Sequence, residues 1–155
     1  MKPIYLKIIL TIVVLLLGYL IIEFIFDRDL ILSDGHIELE IIDEQGTTVF
    51  NEIIPYQEDQ TFFDVLNENF ELTCANRSYQ PDPTCSYEFK LFSQTNHIIL
   101  GIKTDSFDIM TDWDHTFLNI EIYDGTKYVD STIGVDGINL NEINKIRILV
   151  DEVGS

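Results

Sequence analysis

The pattern of apolar and polar positions changes period several times along this chain, and each change marks an element. Residues 8–26 (IILTIVVLLLGYLIIEFIF) are apolar almost throughout, with no charge before Glu23. About 20 such residues cross the hydrocarbon core of a bilayer as a helix, so this run predicts a membrane span. Further on, residues 36–42 alternate strictly. Ile37, Leu39 and Ile41 share one side while His36, Glu38 and Glu40 share the other, as in a half-buried strand. Glu44-Gln45-Gly46 then signals a turn, and residues 47–54 predict a second strand stopped by Pro55, completing a hairpin. Thr61 with Asp64 three residues later resembles a capping box. Phe62, Val65 and Leu66 follow at helical spacing, so the domain's one helix is expected over residues 62–69, packed on the sheet.

Period two returns afterwards. Residues 87–91 alternate, and residues 97–103 place Ile98, Leu100 and Ile102 on one face. Residues 117–123 turn Leu118, Ile120 and Ile122 inward, before a tight-turn signal at Asp124-Gly125. Residues 145–150 set Ile146, Ile148 and Val150 against Lys145 and Arg147. Two strands, a helix and then several strands make an α+β pattern.

Lys2 and Lys7 precede the apolar run, and Asp27, Arg28 and Asp29 follow it. Positive charge stays on the cytoplasmic side, which places the N-terminus inside and the rest of the chain outside. A cleaved signal peptide has a shorter apolar core and ends at a small-residue site, and residues 21–34 offer none. The expected division is therefore a short cytoplasmic N-terminus (1–7), an uncleaved signal anchor (8–26), a short linker (27–35), an extracytoplasmic domain (36–150) and a tail (151–155).

Charge narrows the choice of partner. The chain carries 27 acids and 9 bases, a formal net charge of −18. Lys2, Lys7 and Glu23 are the only charges in the first 26 residues, so the remainder holds 26 acids against 7 bases, a net of −19. Such a surface repels nucleic acid and anionic lipid, and it permits cationic partners or divalent metal. Cys74 and Cys85 are the only cysteines. Outside the cytoplasm they are expected to pair, closing a loop that stabilises the fold by ~3 kcal/mol on a chain-entropy account.

Candidate chemistry is sparse. Asp105, Asp108, Asp112 and Asp114 offer carboxylates of the kind that Ca²⁺ takes, yet they miss the spacing of a calcium loop and are expected to form a solvated acidic loop. Asp112, His115 and Ser131 are the residue types of a hydrolytic triad, without a nucleophile elbow. No phosphate loop, dinucleotide fingerprint or zinc-protease motif occurs, so neither a cofactor nor catalysis is expected. Trp113 is the only tryptophan. Polar neighbours on both sides place it at a strand entrance, partly exposed.

The segment TDWDHTFLNIEIYDG, followed by STIGVDGINLNEINKIRILV, resembles the β-grasp domains related to the C-terminal domain of transcobalamin. The resemblance lies in Trp113 opening an apolar strand, the Asp124-Gly125 turn, Gly134, Leu140 and a closing strand over residues 146–150. Asn141 to Asn144 stand where those domains carry a Gly-Asp turn. It implies a mixed sheet packed on one short helix, and a ligand-binding role, for a corrinoid in transcobalamin itself. On this reading the chain is a non-catalytic module for a small ligand, corrinoid-like or otherwise, or for a protein partner. Trp113, Asp112, Asp114, His115 and Tyr123 would form its binding surface. The competing readings are a structural subunit of an envelope assembly and a small hydrolase.

Overall fold

The computed structural model describes residues 12, 13, 15, 16, 35–91 and 94–154. Most of the apolar run lies outside the described residues. Ile12, Val13, Leu15 and Leu16 are helical and exposed, and among the described residues no helix is long and apolar enough to cross a membrane.

The domain is α+β and strand-rich. β1 (Gly35–Ile42) and β2 (Thr48–Tyr56) form the first hairpin, and α1 (Phe62–Asn69) follows. The next strands are β3 (Glu71–Ala75), β4 (Pro81–Asp82), β5 (Phe89–Leu91), β6 (Gln94–Asn96), β7 (Ile99–Lys103) and β8 (Asp108–Met110). β9 (Thr116–Tyr123), β10 (Tyr128–Asp130) and β11 (Lys145–Glu152) complete the chain, with two 3₁₀ turns at Val135–Gly137 and Leu140–Glu142. A mixed five-stranded sheet runs β10-β9-β11-β1-β2. In it β11 lies parallel to β1, and every other pair is antiparallel. A second, antiparallel sheet runs β4-β3-β7-β8, and β5 pairs with β6.

The alternation in β1 is realised residue for residue: Ile37, Leu39 and Ile41 are fully buried, and the interleaved glutamates face outward. Ile146 and Ile148 in β11 do the same beside them. The helix is capped as its sequence predicts. Thr61 Oγ1 accepts from the Asp64 N–H at 3.1 Å, and the Asp64 carboxylate accepts from the Thr61 N–H at 2.8 Å, so two free helix-end donors are satisfied. Phe62, Val65 and Leu66 face the core. Cys74 and Cys85 are bonded, as expected.

Three expectations need correction. Pro55 does not stop β2, which continues to Tyr56. β2 is the edge of its sheet, where a missing N–H costs no ladder bond. In β7 the alternation fails, because the ladder with β3 shifts register between Thr73 and Cys74. Ile99 and Ile102 enter the main core, while Ile98 and Leu100 join a smaller cluster with Ala75 and Phe89. The acidic stretch 105–114 is not one loop, because β8 runs through it and Asp108 pairs with Lys103 at 3.8 Å. Among the described residues no three His, Cys, Asp or Glu side chains gather as a metal would require.

Sheet and helix do not match in width. Five strands about 4.8 Å apart span roughly 19 Å, and one helix covers about 10 Å. Phe62, Val65 and Leu66 close over part of the sheet, while Leu118, Ile120 and Ile122 of β9 stay only partly buried. That mismatch leaves room for a cleft.

Candidate functional site

The room is used. A cleft of about 180 Å³ lies against β9 and β11 on one side and β7 on the other, with Trp113 in its wall. Leu118, Ile120 and Ile148 come from the five-stranded sheet, and Ile99 and Ile102 from β7. The remaining wall comes from the end of β6 and the segment after it, with Asn96 and His97, and from the start of the first 3₁₀ turn, with Gly134 and Val135. An engineered apolar cavity of roughly 150 Å³ takes benzene, so this cleft has the volume of a single ring or a short chain.

Trp113 is held there in an unusual way. Its φ is 65°, in the left-handed region that a bulky side chain rarely occupies. Such a residue costs of order 1–3 kcal/mol and persists only where its surroundings hold it. Here they do. Asp112 Oδ1 accepts from the backbone N–H groups of Asp114, His115 and Thr116 at 3.1, 2.8 and 3.0 Å, and Trp113 N–H donates to the Thr116 carbonyl at 2.9 Å. Upstream, buried Thr111 fixes the segment to β7 through two bonds to the Leu100 carbonyl. Downstream, Val153 N–H donates to the His115 carbonyl at 2.8 Å. The ring meets Phe117 edge-on at 6.4 Å and remains 38% exposed.

The other predicted residues are placed as follows. Asp112 and His115 belong to the turn that presents Trp113, with His115 Nδ1 2.8 Å from Asp112 Oδ2. Asp114 follows Trp113 in the same turn. Tyr123 is not beside Trp113. It stands on the opposite face of β9, edge-on to Tyr128 at 5.4 Å and 5.9 Å from Lys145 Nζ. Ser131 Oγ donates to the Ile133 carbonyl at 2.7 Å, and among the described residues no hydrogen bond joins it to the Asp112–His115 pair.

That pair gives the turn a pH window. The backbone N–H of His115, then that of Thr116 and the His115 ring, hold the Asp112 carboxyl well below the usual carboxylate range. The hydrogen bond to Asp112, and then its charge, raise His115 above 6.5. The carboxylate's contribution is present above its ordinary value and is lost as pH falls through the lowered one. The imidazolium's contribution is present below 6.5 and is lost as pH rises through the raised value. In an NMR titration His115 is expected to titrate above 6.5, and Asp112→Asn to bring it back. An unchanged midpoint in Asp112→Asn would show that the pair does not form in solution.

Three wall residues were not legible as site residues. His97 donates its backbone N–H to Asp136 Oδ2 at 2.6 Å, sets its Nδ1 2.9 Å from Asp136 Oδ1, and stacks on Phe63 at 3.8 Å. With the carboxylate as acceptor, Nδ1 carries the proton. Asn96 is 4% exposed, and its Oδ1 is buried with no hydrogen-bond partner among the described residues. An unpartnered buried acceptor costs about 1–3 kcal/mol. Gly134 packs so closely on this amide that a methyl group there would overlap it. No protein-family model, curated protein or solved structure matches this chain.

Proposed function

We propose that this chain is a membrane-anchored, extracytoplasmic binding module that takes a small ligand into the cleft beside Trp113 and does no chemistry on it. The observation that carries the reading is the cleft itself: an apolar space whose wall includes a strained, part-exposed tryptophan held by an otherwise well-bonded turn. Strain of this kind concentrates at sites where a side chain must be presented.

The anchor rests on residues 8–26, and the helical, exposed Ile12, Val13, Leu15 and Leu16 fit it. The Cys74–Cys85 bond fits an oxidising compartment. Strand order supports the β-grasp reading, with a first hairpin, one helix, and a last strand returning parallel to β1 at the centre of the sheet. The ligand implied by the transcobalamin-like resemblance does not carry over so easily, because about 180 Å³ is far too small for a corrinoid macrocycle. Ser131 Oγ donates to the Ile133 carbonyl and, among the described residues, makes no hydrogen bond to the Asp112–His115 pair, which supports binding over a hydrolytic triad.

One observation favours a second reading, a subunit of an envelope assembly. Ile53 is 58% exposed on the edge strand β2, on the outer sheet face that also carries Tyr123 and Tyr128. Co-purification of a stoichiometric protein from solubilised membrane would favour it.

The binding reading is tested by Trp113→Ala. The variant is expected to melt within a few degrees of the wild type, because the ring is part-exposed and its removal also relieves strain. Benzyl alcohol at 100 times its Kd should stabilise the wild type by about 2.7 kcal/mol and leave the variant unmoved. A shift of equal size in both proteins would remove Trp113 from the site.

A further inference from the structure

Resting on the cleft as a binding site, we propose that its ligand is a small apolar body with one neutral hydroxyl, and that the hydroxyl donates to Nε2 of His97. The volume of about 180 Å³ sets the body, a single ring or short chain, and Ile99, Ile102, Leu118, Ile120 and Ile148 keep its surroundings apolar.

The His97 side chain is nine-tenths buried, at 10% exposure, and its neighbours leave only part of the ring free. Asp136 Oδ1 holds Nδ1 at 2.9 Å, and Phe63 covers one ring face at 3.8 Å with 6° between the planes. His97 lines the cleft, and neither Asp136 nor Phe63 does. The ring therefore turns toward the cleft the edge and face that those two leave open, and that edge carries Nε2. Asp136 Oδ2 also accepts the His97 backbone N–H at 2.6 Å, so both carboxylate oxygens fix this one residue. With the proton on Nδ1, Nε2 is an acceptor. Among the described residues it makes no hydrogen bond, and it is not sealed in, since Asn96 Oδ1 is the one buried side-chain atom there without a partner.

The head group follows from that single open acceptor. Asn96 Oδ1 is closed off, and the Trp113 indole can only donate. A hydroxyl brings one donor, which Nε2 satisfies. An ammonium group brings three and would leave two of them unpaired among isoleucines, a costly burial. A carboxylate brings acceptors alone and would set oxygen against the Nε2 lone pair.

The full chain in phosphatidylcholine nanodiscs is titrated with benzyl alcohol and with ethylbenzene, following Trp113 fluorescence and correcting for uptake by empty discs. The probes share ring and length, and only the alcohol has a donor. His97→Phe keeps a flat ring against Phe63 and removes the acceptor, so the alcohol should bind about tenfold more weakly and ethylbenzene as before. Equal weakening of both probes, or no weakening of the alcohol, would overturn the proposal. Ethylbenzene binding to the wild type with no response to the alcohol would overturn the hydroxyl assignment and leave the cleft reading standing. No response to either would overturn the cleft reading itself. Asp136→Asn tests the same atom with the imidazole in place. Its amide oxygen takes the His97 backbone N–H, so its NH₂ faces Nδ1 and the ring proton moves to Nε2. Benzyl methyl ether, an acceptor without a donor, should then bind the variant about tenfold more tightly than the wild type. An ether that gains nothing would show that Nε2 does not meet the ligand. A protonated Nε2 in ¹⁵N spectra of the wild type at neutral pH would equally refute the assignment.

Discussion

Replacing Cys74 and Cys85 together by alanine is expected to lower the stability of the domain by about 3 kcal/mol, the chain-entropy value for a loop of this length. For a domain of this size the loss corresponds to a fall in melting temperature on the order of 10 °C. The estimate is an entropy of the unfolded chain, and the folded structure adds to it. Cys74 is fully buried in the main core cluster, with Cys85 packed against that cluster, so the bond also anchors the loop between them. That loop contains two residues in the left-handed region, Tyr79 at φ 58° and Cys85 itself at φ 47°. Reducing the wild type should reproduce the loss in urea unfolding. Equal stability of the oxidised and reduced protein would mean that the cross-link constrains nothing the fold does not already hold.

Ile148→Ala is expected to cost about 2–5 kcal/mol, the range for truncating a buried isoleucine. Ile148 is 1% exposed on β11, the strand between β1 and β9, and its side chain also lines the cleft. Two consequences should therefore appear together. Urea unfolding should show the loss at an unchanged m-value, since the unfolding reaction exposes the same surface. The cleft should gain the volume of the deleted atoms, so a naphthyl probe that the wild type excludes should bind the variant and restore part of the lost stability. Destabilisation without any change in ligand size preference would separate the core role of Ile148 from the cleft.

The parts of this fold that could be read from the sequence are those in which a local rule and the tertiary environment agree. Ile37, Leu39 and Ile41 alternate because one face of β1 is buried and the other is not. Thr61 and Asp64 announce the helix start because their bonds are made within four residues. β7 could not be read in the same way. A register shift in its ladder with β3 breaks the phase of period two, and both faces of the strand are covered, so alternation carries no information there. β8 and β10, at three residues each, are too short to show a period.

The site divides along the same line. Trp113 stood out as the one tryptophan among acids, and the structure gives it a cleft. Tyr123 could have been excluded from the alternation of β9 alone, since it shares its phase with Glu121 and not with Leu118 and Ile120. Asn96, His97 and Gly134 had no signal to give. They are polar or small residues at the end of a strand or between elements, 16 and 17 positions from Trp113 on one side and 21 on the other, and only the folded chain brings them to one wall.

The central claim is that binding occurs in the cleft and not on the outer face of the sheet. Amide and indole chemical shifts of an ¹⁵N-labelled protein spanning residues 35–155 test this most directly, titrated with benzyl alcohol. The account predicts that shifts concentrate at Asn96, His97, Ile99, Trp113, Leu118 and Ile148, with the Trp113 indole among the largest. Shifts centred instead on Tyr123, Tyr128 and Ile53, with the Trp113 indole unmoved, would contradict it.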